Sequence, residues 1–174
     1  MLFSASSSFA DNYIGLMKKE LLFVCLGNIC RSPAAEAIAR FYAPRFSAIG
    51  KIDSAGMGDW HVGDPPDLRA QKVGANRGYS LEKLRARQLS PADFRNFDLI
   101  IAMDQDNYRA INEQKPQQCR AEVVEMAQWL RDADFVPDPY YADETAFHHV
   151  FDLLEEGIEA LFQYLQNEEK GSSI

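Results

Sequence analysis

The sequence contains few cysteines and no long apolar run, and both shortages limit what the protein can be. The 3 cysteines, Cys25, Cys30 and Cys119, are an odd number and too few for a disulfide scaffold, which indicates reduced thiols and a cytoplasmic location. The 3 histidines have no spacing that would pair them with these thiols as metal ligands, so we expect no metal site and no other cofactor. No apolar run approaches the roughly 20 residues that cross a bilayer, so we expect no membrane partner.

Positive charge is scarce as well. The chain has 18 Lys and Arg against 26 Asp and Glu, which gives a formal net charge of −8 at pH 7. Proteins that bind the phosphate backbone of nucleic acids need a positive field, so we expect no nucleic-acid partner. An acidic protein that binds phosphate must instead supply a local positive pocket.

The 174 residues suffice for one domain with its own core, flanked by two short tails. Residues 1–16 contain neither Lys nor Arg, which secretory signals and transit peptides need. We interpret them either as a disordered natural extension or as residues added by an upstream start codon that was chosen in error. We expect residues 17–167 to form a single domain and residues 168–174 to fray.

Short apolar runs alternate with helical patterns along this domain. Buried strands are predicted at residues 20–24, within 47–56, at 98–103 and at 122–126. Helices are predicted from residue 33, over 66–76, from 104 and over 145–166. This alternation predicts an α/β fold, with a parallel sheet covered by helices on both faces. In such folds ligands bind beyond the carboxyl ends of the strands, where Cys25, Ser54 and Asp104 fall.

The loop after the first strand carries the clearest chemical signal. Residues 25–32 have the sequence CLGNICRS, and the 5 residues between Cys25 and Arg31 are enough to wrap a loop around one phosphate. Gly27 and Asn28 tolerate the left-handed backbone that such a loop needs. The planar fork of Arg31 would hold two phosphate oxygens, and Cys25 would be a thiolate nucleophile. Ser32 can donate its hydroxyl to that sulfur.

A second motif supplies an acid. A thiolate that attacks a phosphate ester needs a group that protonates the leaving oxygen. Asp138 lies between two prolines and is followed by Tyr140 and Tyr141. An Asp between prolines is also typical of a turn, but the tyrosines are suited to wall an aromatic substrate.

With both motifs in hand, the chain resembles the low-molecular-weight protein tyrosine phosphatase family over residues 20–165. The resemblance rests on residues 24–33, 53–56, 60–63, 86–88, 103–104 and 138–141. It implies a four-stranded parallel sheet of the doubly wound, flavodoxin-like type. It also implies a metal-free, two-step reaction on tyrosine-phosphorylated proteins, in which Cys25 forms a cysteinyl-phosphate and Asp138 acts as acid and then as base.

The same resemblance implies a set of binding residues around this chemistry. Asn28 and Ser54 would brace the loop, while Trp60 and Tyr140 would select a flat phenol. The residues expected to contact the substrate besides Arg31 are Leu26, Gly27, Asn28, Ile29, Cys30, Ser32, Trp60, Tyr140 and Tyr141.

Two other functions share parts of this pattern. A thiol-linked arsenate reductase has the same loop and fold, but it needs a relay of further cysteines, and only Cys119 is available downstream. A catalytically inactive phosphotyrosine-binding module would normally have lost Cys25 or Asp138, and both are present. The physiological substrate and the oligomeric state stay open.

Three further residues have alternative roles. Arg77 stands where many eukaryotic relatives have a histidine of the loop-bracing network, so the bracing differs here or Arg77 is a surface residue. Asp104 would cap the next helix or brace the site. His61 is expected to be structural.

Overall fold

The predicted apolar runs form the strands of one parallel sheet. The computed structural model describes residues 18–171. The sheet has the strand order β2-β1-β3-β4, with every pair parallel, which confirms the predicted four-stranded, doubly wound sheet. Its strands are β1 (Lys19–Cys25), β2 (Ile49–Gly56), β3 (Leu99–Ala102) and β4 (Glu122–Glu125).

Helices connect the strands and cover both faces of the sheet. The structure has α1 (Arg31–Tyr42), α2 (Leu68–Asn76), α3 (Asp93–Asn96), α4 (Gln105–Gln114) and α5 (Glu144–Gly171), with short 3-10 turns at Ala43–Arg45 and Met126–Trp129. Helix α3 and the two 3-10 turns were not predicted, because three or four residues are too few to establish a helical period. No helix within residues 18–171 is long and apolar enough to cross a membrane.

Two helix boundaries differ from the prediction for local reasons. Helix α2 starts two residues later than the predicted residue 66, because the carboxylate of Asp67 caps it by accepting from the Arg69 N–H at 2.8 Å. Helix α5 continues to Gly171, past both its predicted end and the expected domain boundary at residue 167. Glu169 ties this last stretch to the segment before β2 by accepting from the Ser47 hydroxyl at 3.0 Å. Residues 1–17 and 172–174, and with them the expected extension at residues 1–16, lie outside the described residues.

The core has two halves, one on each face of the sheet. Leu21 and Phe23 of β1 face the half built with α1, α2 and α5, whereas Leu22 and Val24 face the half built with α3 and α4. All four side chains are fully buried. Strands buried on both faces are apolar throughout, which explains why β1 is a continuous apolar run without alternation.

The strand register brings three strand ends to one edge of the sheet. Cys25 pairs with Gly56, and Val24 pairs with Ala102. Helix α1 starts at this edge, and Asp104 caps the start of α4 there by accepting from the Asn107 N–H at 2.8 Å. Residues far apart in the sequence therefore meet around the loop that follows β1.

Candidate active site

The loop between β1 and α1 uses three of its carbonyls in hydrogen bonds to other segments and leaves its N–H groups unpaired within the part of the chain that the structure describes. The carbonyls of Cys25, Leu26 and Ile29 accept from the N–H groups of Met57, Gly58 and Asp67 at 3.0, 2.9 and 2.8 Å. Within residues 18–171, the N–H groups of residues 26–30 have no hydrogen-bond acceptor. Unpaired loop amides next to the start of a helix, here α1, are a combination that is suited to bind a phosphate-sized anion.

The left-handed turn of this loop is made by Asn28 alone, which has a φ of 58°. Gly27 was also expected to take this conformation, but its φ lies outside the left-handed region. A side chain at Gly27 would instead press on His61, whose Cδ2 lies 3.2 Å from the position of a Cβ. Gly56 is needed for close approach, because a Cβ there would lie 3.0 Å from the backbone of Gly27 and of Asn28.

Asn28 joins the loop to the elements beneath it. Its Oδ1 accepts from the Arg87 N–H at 3.0 Å, and its Nδ2 donates to Ser32 Oγ at 2.7 Å and to Ser54 Oγ at 3.0 Å. The side chains of Asn28 and Ser32 are buried, and neither residue is among those that line the cleft, so contact of either with the substrate stays a prediction. Residues 86–88 belong to the family resemblance, but the residue type of Arg87 did not indicate this contact, because it is made by a backbone N–H group.

Cys25 lies at the floor of the loop with only 3% of its surface exposed. Its Sγ is 3.0 Å from Ser32 Oγ. Cys30 is also buried, and this burial, with Asp67 and Cys25 nearby, raises the pKa of the Cys30 thiol far above its ordinary value. Cys30 is therefore a neutral thiol at physiological pH.

Arg31 is hydrogen-bonded to the described part of the chain through one of its three guanidinium nitrogens. Its Nη1 donates to the Asp104 carboxylate and to the Val136 carbonyl at 3.0 Å. Its Nε and Nη2 make no hydrogen bond to any residue in the described part of the chain, and Nη2 is 3.7 Å from the Asp138 carboxylate. Two parallel donors therefore remain for two oxygens of one anion.

The charge of Arg31 is well supported. Burial by itself would lower the pKa of Arg31, but Cys25, Asp104 and Asp138 raise it above its ordinary value. Asp104 therefore serves both roles that were considered for it, since it caps α4 and holds Arg31.

Asp138 is carried by a segment that is tied to the sheet and to α2. The Val136 N–H donates to the Met103 carbonyl at 2.9 Å, and the Tyr140 N–H donates to Asp138 Oδ1 at 3.1 Å. Arg69 of α2 donates to the carbonyls of Tyr140 at 2.9 Å and Ala142 at 2.7 Å. No sequence pattern connects Arg69 with this distant segment, so its role became visible only in the structure.

A cavity of about 310 Å³ opens above the loop, and aromatic rings form its walls. Trp60 and Tyr141 are largely exposed, at 69% and 96%, whereas Tyr140 is partly covered at 38%. His61, expected to be structural, also lines this cavity, with its ring centre 6.3 Å from that of Tyr140. The lining residues are Cys25, Leu26, Gly27, Ile29, Cys30, Arg31, Trp60, His61, Asp138, Tyr140 and Tyr141.

Arg77 lies away from the loop and binds α5. It donates to Asp152 at 2.7 Å, to Glu155 at 2.8 Å and to the His148 carbonyl at 3.2 Å. Arg77 therefore joins α2 to α5 and takes no part in bracing the loop, and Asn28 is braced by other groups.

A doubly wound sheet binds its ligands beyond the carboxyl ends of its strands, which is where the loop with unpaired amides lies. The family model described as "Low molecular weight phosphotyrosine protein phosphatase" matches residues 20–171. The chain therefore belongs to the low molecular weight phosphotyrosine protein phosphatase family, and it is a phosphoric monoester hydrolase.

Individual relatives agree with this assignment. The low molecular weight protein-tyrosine-phosphatase YfkJ of Bacillus subtilis is 41% identical over 154 residues, which cover 86% of this chain and 97% of YfkJ. A low molecular weight phosphotyrosine protein phosphatase of Schizosaccharomyces pombe is 45% identical over 133 residues, 74% of this chain and 85% of its own length. The crystal structure of a protein tyrosine phosphatase from Entamoeba histolytica superposes with a TM-score of 0.81 at 41% identity, and covers 87% of this chain and 99% of its own.

Proposed function

We propose that the protein hydrolyses phosphotyrosine in proteins through a cysteinyl-phosphate on Cys25, with Asp138 as general acid and then general base. One observation carries this proposal: Cys25, Arg31 and Asp138 line the same cavity, above a loop whose amides are free to bind an anion. The reducing conditions that a thiolate needs support a cytoplasmic location.

In the first step, the Cys25 thiolate attacks phosphorus while the bond from phosphorus to the tyrosine oxygen breaks. Arg31 and the amides of residues 26–30 hold the three equatorial oxygens, where charge is spread in the transition state. The Asp138 carboxyl protonates the leaving phenolate oxygen, so no free phenolate forms. The step leaves a sulfur–phosphorus bond on the enzyme and a neutral tyrosine.

In the second step, the Asp138 carboxylate accepts a proton from a water molecule that attacks phosphorus. The sulfur–phosphorus bond breaks, and Cys25 leaves as a thiolate. The Ser32 hydroxyl, 3.0 Å from the sulfur, stabilises this thiolate by donating to it. Inorganic phosphate is released, and Asp138 regains the proton that the next turnover requires.

The walls of the cavity support a preference for an aromatic leaving group. Trp60 and Tyr140 line the same cavity as Cys25, so their rings can contact the phenyl ring of a phosphotyrosine. A phosphoserine side chain has no ring to contact these walls, so its phosphate would enter the loop without the same support.

The test compares phosphotyrosine and phosphoserine peptides of one sequence, with arsenate reduction assayed in parallel. We expect turnover of the phosphotyrosine peptide alone and, after acid quenching, a phosphate group on the peptide that contains Cys25. Cys25→Ser should abolish turnover and the trapped phosphate, yet still bind vanadate. Turnover by Cys25→Ser, or arsenate reduction faster than phosphotyrosine hydrolysis, would overturn the proposal.

A further inference from the structure

Glu36 is a carboxylate buried beneath the phosphate loop, and no catalytic step above uses it. It lies on α1 with 3% of its surface exposed, and this burial raises its pKa above the ordinary value. Hydrogen bonds from Ser54 and Arg40 oppose this rise, while the nearby Asp53 adds to it. Burying a carboxylate costs stability unless the carboxylate is paired and hydrogen-bonded.

The hydrogen bonds around Glu36 have a defined direction. Asn28 Oδ1 accepts from the Arg87 N–H, so the opposite atom of this amide is the NH₂ group. That group donates to both Ser32 and Ser54. Each hydroxyl oxygen thus accepts one hydrogen bond from Asn28, so each hydroxyl must donate its own hydrogen to a different acceptor.

Glu36 provides the acceptor for Ser54. Ser54 Oγ lies 2.7 Å from Glu36 Oε1, and an ionised carboxylate can only accept. With the Ser54 proton directed away, the oxygen of Ser54 is free to accept from Asn28. The Asn28 amide is then held at both ends, by the backbone of Arg87 and by Ser54.

The same logic orients the hydroxyl of Ser32. Ser32 accepts from Asn28 at 2.7 Å, so its own proton can go to Cys25 Sγ at 3.0 Å or to the Ala55 carbonyl at 3.3 Å. The shorter contact to a charged sulfur is favoured. A chain of hydrogen bonds therefore runs from the buried carboxylate to the nucleophile.

We propose that Glu36 is a positioning residue, which stabilises the Cys25 thiolate by orienting the Ser54, Asn28 and Ser32 hydrogen bonds that end on the sulfur. The inference rests on the proposed function, because it takes Cys25 as the nucleophile. Glu36 acts through three other side chains and does not itself line the cavity.

Arg40 holds the carboxylate in the orientation that this chain needs. Its Nε donates to Glu36 Oε2 at 2.9 Å, and its Nη2 donates to the Ile52 carbonyl at 2.8 Å. Glu36 therefore accepts from Arg40 with one oxygen and from Ser54 with the other. This geometry makes a conservative change informative, because an amide has only one oxygen.

In Glu36→Gln, Arg40 should take the amide oxygen and turn the amide NH₂ group toward Ser54. Ser54 would then have two donors, Asn28 and the amide at position 36, and no acceptor at position 36 for its own hydrogen. The hydrogen bonds from Ser54 through Asn28 and Ser32 to Cys25 would no longer be held in one orientation. We expect the midpoint of the pH profile for Cys25 alkylation by iodoacetamide to rise by about one pH unit, a tenfold change in the thiolate equilibrium. We expect kcat for 4-nitrophenyl phosphate at neutral pH to fall about tenfold.

The double variant Glu36→Gln with Arg40→Met gives the sharpest test. Without Arg40, the amide oxygen is free to face Ser54, so the wild-type direction and most of the wild-type alkylation profile should return. If Glu36 had a purely structural role, the double variant should depart further from the wild-type alkylation profile than Glu36→Gln does, because it departs further from the native packing. Absence of this rescue would overturn the proposal.

Two further variants complete the test. Ser54→Ala breaks the same chain without touching the carboxylate, so it should shift the profile by itself, and Glu36→Gln should add no further shift in that background. The matched control is Asp98→Asn, which removes another carboxylate–arginine pair, with Arg120, at the opposite end of the sheet. It should lower the melting temperature and leave the alkylation profile unchanged.

The outcomes separate this inference from the proposed function. An unshifted profile in folded Ser54→Ala, or equal shifts by Glu36→Gln with and without Ser54, would refute the role of Glu36 and leave the nucleophile untouched. Turnover by Cys25→Ser would refute the proposed function itself, whatever Glu36 does.

Discussion

Replacing Arg31 with lysine tests how the loop holds phosphate. The native guanidinium is anchored through Nη1 by Asp104 and the Val136 carbonyl, and in the proposed mechanism its Nε and Nη2 hold the substrate. A lysine ammonium is a single point of charge, so it can remain with Asp104 or approach the phosphate, but it cannot do both. The net charge of the site is unchanged, so the variant isolates geometry from charge.

The size of the effect follows from the bonds that are lost. Each of the two free donors makes a hydrogen bond to a charged oxygen, worth about 1.5–3 kcal/mol. Together they contribute about 3–6 kcal/mol, and a tenfold change corresponds to about 1.4 kcal/mol, so kcat/KM should fall roughly 10²–10⁴-fold. The buried Val136 carbonyl also loses its donor from Arg31, which should destabilise the fold by about 1–3 kcal/mol.

The assay is the hydrolysis of 4-nitrophenyl phosphate by Arg31→Lys, with circular dichroism and thermal unfolding to show that the variant is folded. Arg109→Lys is the matched control, because Arg109 is an exposed arginine of α4 that hydrogen-bonds only Gln105 in the described part of the chain. The control should keep wild-type kinetics. If folded Arg31→Lys retained kcat/KM within fivefold of the wild type, two-point clamping by the guanidinium would be refuted.

Four further predictions address other parts of the molecule. Asp138→Asn should slow phenyl phosphate by roughly 10²–10⁴-fold and slow a substrate with a much more acidic phenol far less; equal slowing of both would show that Asp138 is not the acid. Gly58→Ala should raise KM for aryl phosphates more than for alkyl phosphates, because a Cβ there would overlap the indole ring of Trp60; unchanged selectivity between the two would contradict this wall. Deleting residues 1–16 should leave kcat and the melting temperature unchanged, since the family match begins at residue 20, and a large loss of stability would contradict this. Cys30→Ser should make inactivation by mild peroxide irreversible, because Cys30 could no longer condense with the sulfenic acid of Cys25 to form a disulfide and release water; full recovery with dithiothreitol would limit Cys30 to packing.

The main elements were predictable because their signals are local. A continuous apolar run is enough to predict a strand that is buried on both faces, and β1 and β3 were found where such runs occur. The length and composition of residues 25–32 were enough to predict a tight loop suited to an anion, because a glycine, an asparagine and an arginine at this spacing after a strand are a local signal. Helix α3 was missed because a single turn leaves no periodic pattern.

The supports of the loop depend on contacts that sequence order does not contain. Arg69 holds the Asp138 segment across about 70 residues of chain, as an arginine at the start of α2 that donates to two backbone carbonyls. Arg87 contributes through a backbone N–H group that any residue except proline would supply. Arg77, which had a motif-based expectation, proved to bind α5.

The amino-acid sequence by itself predicted the parallel α/β fold and the loop from Cys25 to Ser32, because buried strands, helical periods and a tight loop between them leave local signals. The acid role of Asp138 stays a prediction from its Pro-Asp-Pro motif and the tyrosines that follow. Only the tertiary structure decided that Asp104 holds Arg31, that His61 lines the cavity and that Glu36 lies beneath Ser54. The physical reason is the strand order. Pairing β1 with both β2 and β3 brings three chain segments to one edge of the sheet, and the direction of each hydrogen bond there is set by partners from different segments.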